Sequence, residues 1–285
     1  MDISEVDADA FDRFEASGWE SQALGYADAF IPLTGRVIEP LLDAARVRPG
    51  ARVLDVATGP GHVAAACSVR GATVVGVDVA SEMVAVARRR YPAIDFRQCD
   101  AQDLPFKDGS VDAVVGNFAI LHFGRPERAV AGFARVLAPG GSLALSTWDK
   151  PERSRLVGTM YDAALEVGAT PLPHLPAGPP FFRFADESEF THLLSDAGLS
   201  DVEVRTVEFT YHVGSADEAW ETLHRGTVRT RALVFDQPED TRERIRAAFL
   251  RLLGEHAAPQ GGIDVPVSVK VASGVKGPTA SRAVA

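Results

Sequence analysis

The chain has 285 residues, 46% hydrophobic and 24% charged, enough for one sizeable domain with a cap or for two small domains. Its formal charge of −10 argues against nucleic acid as the main partner, because phosphate binding leaves a basic footprint. No apolar run approaches the roughly 20 residues that span a bilayer, and Cys67 and Cys99 form no Cys-x-x-Cys pair, which disfavours disulfide scaffolds and thiolate metal sites.

The N-terminal MDISEVDADAFDRFE is acidic and lacks the apolar centre of a signal peptide, so a cytoplasmic protein is expected. IPLTGRVIEPLLDAARV (31–47) carries apolar residues at helical spacing and is stopped by RPG. An alternation follows. ARVLDVA reads as a strand, HVAAACSVR as a helix and ATVVGVDV as a strand. SEMVAVARRR reads as a helix opened by Ser81, with arginines in its last turn. IDFRQCD and VDAVVGNFAI read as strands, PERAVAGFARVL as a helix stopped by APGG, and SLALSTW as a strand. Such alternation specifies right-handed β-α-β units, and runs such as VVGV and AVVG suit strands buried on both faces. The fold class is therefore α/β, a doubly wound and mostly parallel sheet.

Beyond Trp148 the rhythm changes. Helices are predicted over 154–168 and in DESEFTHLLSDAG, the latter capped by Asp186 and ended by Gly198. TPLPHLPAGPPFFRF (170–184) is a proline-rich loop between them. DVEVRTVEFTYHV (201–213) and IDVPVSVKVASG (263–274) alternate as strands, separated by helices over 215–230 and 239–257. An excursion this long between two strands reads as a lid or substrate cap. GPTASRAVA (277–285) reads as a loose tail.

In open α/β sheets, ligands bind beyond the carboxyl ends of the strands, where strand order reverses. The first strand ends in TGPGH, where Gly59 and Gly61 allow close approach of the main chain to a ligand. An ordinary strand-to-helix turn would use the same residues. Asp78 ends the second strand nineteen residues after Gly59, a spacing at which an acid accepts the hydroxyls of a ribose. A nucleoside-containing ligand is thus expected, and NAD and S-adenosylmethionine both satisfy this much. FRQCDAQDLPF ends the third strand with Asp100, where a carboxylate can hold an adenine amine, and VVGNFAILHF ends the fourth with Asn117 facing the same mouth. Asp55 could anchor an amine or hold the loop.

Together, VLDVATGPG, VVGVDVASEMVAVAR, DAQDLPF, VDAVVGNFAILHF and RVLAPGGSLALSTW resemble the ordered motifs of class I S-adenosylmethionine-dependent methyltransferases. They are similar to the small-molecule branch that includes ubiquinone/menaquinone-biosynthesis-type and natural-product enzymes. The resemblance spans about residues 20–150 and departs at Ala57, where the family often has its first loop glycine. It implies a Rossmann-like sheet of seven strands with an antiparallel last strand and a helical cap. Its divisions would be an N-terminal helical cofactor cover (1–47), a cofactor-binding core (48–150), cap insertions with closing strands (151–275) and a flexible tail (276–285).

Carried over, the resemblance puts Asp78 and Val79 at the ribose, Asp100 at the adenine amine, and the N–H of Ala101 at the adenine ring. Met83 would pack on the adenine, and Gly59 would face the methionyl part. Asp55, Ala57 and Gly61 complete the loop, Asn117 and Phe118 line the transfer mouth, and Tyr26 and Phe30 belong to the cover. The implied function is methyl transfer to an O, C or N atom of a small aromatic or isoprenoid-like acceptor. In-line displacement from a sulfonium needs water exclusion and alignment, and no metal. An acidic acceptor proton calls for a general base, and His122, just past the fourth strand, is the candidate; histidine is the side-chain type that changes charge near neutral pH. His174, His212 and His224 lie in the cap region as weaker candidates. Phe181, Phe182, Phe184, Trp220 and Phe235 cluster there too, and Phe181, Phe182 and Trp220 are assigned with Phe30 to the acceptor pocket. A nicotinamide-dependent oxidoreductase is the alternative, disfavoured because no Tyr-x-x-x-Lys appears, and a non-methylating S-adenosylmethionine-binding protein is another. The oligomeric state stays open.

Overall fold

The computed structural model describes residues 7–278. Residues 279–285 of the expected tail lie outside them. One seven-stranded sheet contains β1 (Arg52–Val56), β2 (Thr73–Asp78), β3 (Asp95–Gln98), β4 (Val111–Gly116), β5 (Leu137–Trp148), β6 (Leu199–Val213) and β7 (Ile263–Lys276) in the order β3-β2-β1-β4-β5-β7-β6. Pairing is parallel from β3 through β5, and β7 runs antiparallel to both β5 and β6. Strand order reverses at β1, which lies between β2 and β4, so the expected ligand crevice opens at the carboxyl ends of these strands.

Alternation along the strands feeds two cores. Val53, Ala113, Val115 and Ala144 face one layer of helices, whereas Leu54, Val114, Leu143 and Leu145 face the other. On the first side lie α3 (Ile38–Ala44), α4 (His62–Val69) and α5 (Ser81–Arg90). On the second lies α6 (Pro126–Val136), whose Ala129, Val130 and Phe133 form an inward stripe. Next come α7 (Arg155–Glu166) on the first side and α8 (Glu187–Asp196) on the second, the latter capped as expected by the Asp186 carboxylate, which accepts from Ser188 and Glu189 N–H.

The first elements among the described residues are α1 (Ala8–Ala29) and α2 (Ile31–Thr34). The single helix expected over 31–47 is interrupted by a 3-10 turn at Gly35–Val37 before α3. Pro40 explains this, because a continuous helix would need its missing N–H and would drive its ring into the Arg36 carbonyl. At α5 the N-cap residue is Ala80, and the Ser81 hydroxyl donates to Glu20 of α1 instead. Between β6 and β7 the excursion folds as α9 (Ala216–Gly226), α10 (Arg229–Val234) and α11 (Glu239–Gly254), while its flanking strands pair up to Val213 opposite Ile263. Among the described residues no helix is long and apolar enough to cross a membrane.

Candidate active site at the strand ends

The loop after β1 is shaped by backbone conformation and two buried acids. Ala57 (φ 50°), Gly59 (φ 52°) and Gly61 (φ 86°) are all left-handed. Asp78, 7% exposed at the end of β2, accepts from Gly59 N–H at 2.8 Å through one oxygen and from Ala80 N–H at 2.9 Å through the other. Each oxygen keeps a lone pair for a ligand, and the side chain faces the cavity. Burial pushes the Asp78 carboxyl up to about 6, against the pull of those two N–H groups. A Cβ on Gly59 would enter the space 3.9 Å from Met83 Sδ and from the Tyr26 ring, so the loop backbone itself forms the wall.

At the third strand, the Asp100 carboxylate accepts from Gln102 N–H at 2.8 Å and is exposed to the cavity beside Cys99 and Ala101. At the fourth, Phe118 adopts φ 53° and donates its N–H to Ser146 Oγ; Ser146 donates to Asn117 Oδ1 at 2.6 Å, and Asn117 Nδ2 donates to the Thr34 carbonyl at 3.1 Å. This chain of bonds ties β5 and the end of β4 to α2.

The remaining wall comes from α1, whose Asp12, Glu15, Trp19 and Tyr26 recur at helical spacing along its inner face, and from Phe30, which caps its end. Glu15 is 3% exposed. Its Oε2 accepts from Trp19 Nε1 at 3.0 Å and lies 2.9 Å from His122 Nδ1. Facing a carboxylate, that ring nitrogen is the protonated one, which leaves Nε2 as the basic atom. Trp19 meets the His122 ring edge-on at 5.0 Å. Beside Glu15, Arg229 stacks on the rings of Phe11 and Phe181, 5.0 and 5.2 Å from their centroids. Phe30, Phe118 and Trp148 complete an aromatic wall.

Of the residues singled out from sequence, Tyr26, Phe30, Ala57, Gly59, Asp78, Val79, Met83, Asp100, Ala101, Asn117, Phe118, His122 and Phe181 line this single cavity. Four others do not. Asp55 turns toward α4 and holds the loop by accepting from Thr58 Oγ1 at 2.5 Å. Gly61 begins α4, where a Cβ would strike the Phe96 ring at 2.8 Å, so packing rather than a ligand requires it. Phe182 packs on Tyr161 and Phe181, and Trp220 on Phe235 and Phe249 in the core beneath the cap. His212 bonds Asp264 and His224 stacks on Phe235, both away from the cavity. The sequence reading missed Glu15, Trp19, His62 and Arg229. For Glu15 and Trp19 the signal was their i,i+4 spacing ahead of Tyr26; for Arg229 there was none, because the cap delivers it.

The cavity is continuous from the acids at the strand ends to the aromatic wall and, with the open space at its mouth, spans about 1330 Å³. Acids at the ends of β2 and β3, a side-chain-free loop at Gly59 and a thioether at Met83 fit an adenosyl group bearing a sulfonium.

Comparison with known proteins agrees. Residues 54–145 match the methyltransferase domain family. The demethylmenaquinone methyltransferase of Renibacterium salmoninarum is 33% identical over 175 residues, covering 59% of this chain and 74% of that protein. In fold, the YcgJ protein from Bacillus subtilis aligns with a TM-score of 0.56 at 21% identity, covering 85% of this chain and 99% of its own. A putative methyltransferase from an antibiotic biosynthesis pathway of Anabaena variabilis aligns with a TM-score of 0.55 at 20% identity, covering 83% and 96%. With the strand order and the cavity described above, these relationships establish that the chain belongs to the class I S-adenosylmethionine-dependent methyltransferases and takes S-adenosylmethionine as its methyl donor.

Proposed function

We propose that the enzyme methylates an O, C or N atom of a small, partly apolar metabolite of quinone or natural-product type, in the cytoplasm. The observation that carries this reading is the wall of Phe30, Phe118, Trp148, Val157 and Phe181 beside the acids of the cofactor half, interrupted by only a few polar groups. A relative named demethylmenaquinone methyltransferase and a fold neighbour named for an antibiotic pathway support the acceptor class.

The bound cofactor supplies an electrophilic methyl group on a sulfonium. In this reading Asp78 accepts from both ribose hydroxyls, with Val79 alongside. Asp100 accepts from the adenine amine, Ala101 N–H donates to the ring, and Met83 packs on it. Gly59 and Ala57 border the methionyl part, and Asn117 and Phe118 border the transfer mouth. The described part of the N-terminal segment, residues 7–47, acts as the cover, with Tyr26 and Phe30 excluding water. His122, its Nδ1–H held by Glu15, takes the acceptor's proton at Nε2.

Incubation with S-adenosylmethionine and a panel of phenols, hydroquinones and isoprenoid-substituted rings tests the proposal. A product heavier by one methylene, formed with S-adenosylhomocysteine, is expected. Cofactor binding without product from any such acceptor, but with product from a peptide or nucleic acid, would overturn it.

A further inference from the structure

Glu15 is bonded on one side only. Oε2 carries both the Trp19 and the His122 contacts, whereas Oε1 is buried against the cavity without a hydrogen-bond partner. A buried carboxylate oxygen without a donor is costly, so an orphan on a cavity wall points to a ligand atom that completes it. The cationic group nearest to it is Arg229, whose Nε lies 4.0 Å from Oε1. The other guanidinium nitrogens are committed, Nη1 donating to the Leu121 carbonyl at 3.1 Å and Nη2 to the Pro179 carbonyl at 2.8 Å. A separation of 4.0 Å is too long for a direct hydrogen bond. It is a span that one oxygen bridges when it sits about 2.7–2.9 Å from each atom.

We infer that Glu15 Oε1 and Arg229 Nε form a hydroxyl-recognition subsite, which selects acceptors bearing a phenolic or enolic hydroxyl. The inference rests on the small-molecule reading above and names the substrate class within it. Charge on both sides narrows the ligand. An ammonium would sit about 3–4 Å from the guanidinium, and a carboxylate would face Glu15, each repelled in a poorly solvated site. A neutral hydroxyl donates to Oε1 and accepts from Nε, which satisfies both. Phe11 and Phe181, which clamp the guanidinium, add flat apolar surface for the ring that carries the hydroxyl. The subsite joins two segments distant in sequence, so it exists only when the N-terminal helix and the cap are both in place.

The test uses the full-length protein saturated with S-adenosylhomocysteine and two probes of equal ring size, 1-naphthol and 1-methoxynaphthalene, titrated by calorimetry. The parent should bind 1-naphthol roughly 10–100-fold more tightly, the range expected for a hydrogen bond to a charged group. In Glu15→Gln, His122 and Trp19 both donate, so the amide oxygen turns to them and the amide nitrogen replaces Oε1. This variant should lose at least ten-fold in 1-naphthol affinity while holding or gaining affinity for the ether, whose oxygen can only accept. Equal binding of the two probes to the parent would overturn the subsite, as would an equal loss for both in Glu15→Gln, which marks a merely structural role. Failure of both probes to bind the loaded parent would instead overturn the apolar-acceptor reading, and the subsite with it.

Discussion

His122 Nδ1 lies 2.9 Å from Oε2 of Glu15, a residue 107 positions earlier in the chain and on the helix that covers the strand ends. The pair makes the imidazole's orientation depend on the cover being closed. If His122 Nε2 takes a proton from the acceptor, His122→Ala should lower turnover by roughly 10²–10⁴-fold. Binding of S-adenosylmethionine should stay within a few-fold, because the acids proposed to hold the nucleoside come from β2 and β3. Single-turnover rates and cofactor titration on the same variant separate the two effects. Normal turnover, or loss of affinity in proportion to activity, would show that alignment alone drives transfer.

Asp78 is expected to make cofactor binding pH-dependent. Its carboxyl is pushed up to about 6, chiefly by burial, and only the carboxylate accepts from both ribose hydroxyls. Affinity for S-adenosylmethionine should therefore weaken as pH falls through about 6 and level off above it. Asp78→Ala should reduce affinity at least ten-fold at neutral pH, from hydrogen bonds to a charged group of roughly 1.5–3 kcal/mol each. Calorimetry between pH 5 and 8 measures both, and a folded variant that binds as the parent does would remove Asp78 from the site.

The acids at the ends of β2 and β3 were legible because strand, turn and acid follow one another locally in the chain. The same local pattern left Asp55 open between anchoring a ligand and holding the loop, of which the structure shows the second, and it placed Gly61 at the cofactor. Spacing does not say which face a strand-end side chain takes: Asp55 shares the parity of Val53 and so points toward α4, and Gly61 answers to Phe96 on another strand. The cap was legible as an excursion between paired strands, but not its inner face. Trp220 sank into the core with Phe249 while Arg229, nine positions on, reached the cavity. Those orientations follow from tertiary packing of α9, α10 and α11, which periodicity in one segment cannot report.

Ala57 adopts a φ of 50°, a left-handed conformation that glycine takes without steric cost. A left-handed L-residue costs roughly 1–2 kcal/mol, whereas glycine loses about 0.5–1 kcal/mol more backbone entropy on folding. Ala57→Gly should thus stabilise the protein by about 0–1.5 kcal/mol, the difference between the two effects. Cofactor affinity should be unchanged. Chemical denaturation reads the sign, and a clear loss of stability would mean that the Ala57 methyl makes contacts worth more than its strain.

Asp55 should impose a pH slope on stability in the opposite sense to a salt-bridged acid. Burial pushes its carboxyl from 3.8 up to about 7, against the Thr58 hydroxyl and the Ala64 N–H, which pull it down. Below pH 4 the group is protonated in folded and unfolded chains alike. Between about 4 and 7 the unfolded chain ionises first, so stability falls as pH rises, by on the order of 4 kcal/mol for this group, and is flat above. Asp78 acts in the same direction up to about 6. Asp55→Asn should remove the larger part of this decline in urea titrations at stepped pH, leaving the shorter segment that ends near 6. An unaltered slope would assign the decline to other groups.

The cover and the cap meet without room for a methyl group. On α1, a Cβ at Gly25 would lie 2.4 Å from the carbonyl oxygen of Arg225 in α9, and one at Gly18 would lie 2.3 Å from Val228. On α9, a Cβ at Gly226 would lie 2.6 Å from Phe30. Backbone cannot yield as a side chain can, so Gly25→Ala must push the two helices apart. Overpacking of this kind costs roughly 1–3 kcal/mol, which at its centre outweighs the gain of up to about 1 kcal/mol that alanine brings to a helix interior. The displaced α1 would also carry Trp19, Tyr26 and Phe30 away from the strand ends, so cofactor affinity should fall together with stability. Gly132, in α6, has open space where a Cβ would go. Gly132→Ala should therefore show the propensity effect alone, raising stability by about 0.5–1 kcal/mol without touching affinity. The same substitution in two helices is expected to give opposite signs, and only the α1 variant should alter binding. If Gly25→Ala were as stable as Gly132→Ala and bound cofactor normally, the close approach of cover and cap would not be what holds the site shut.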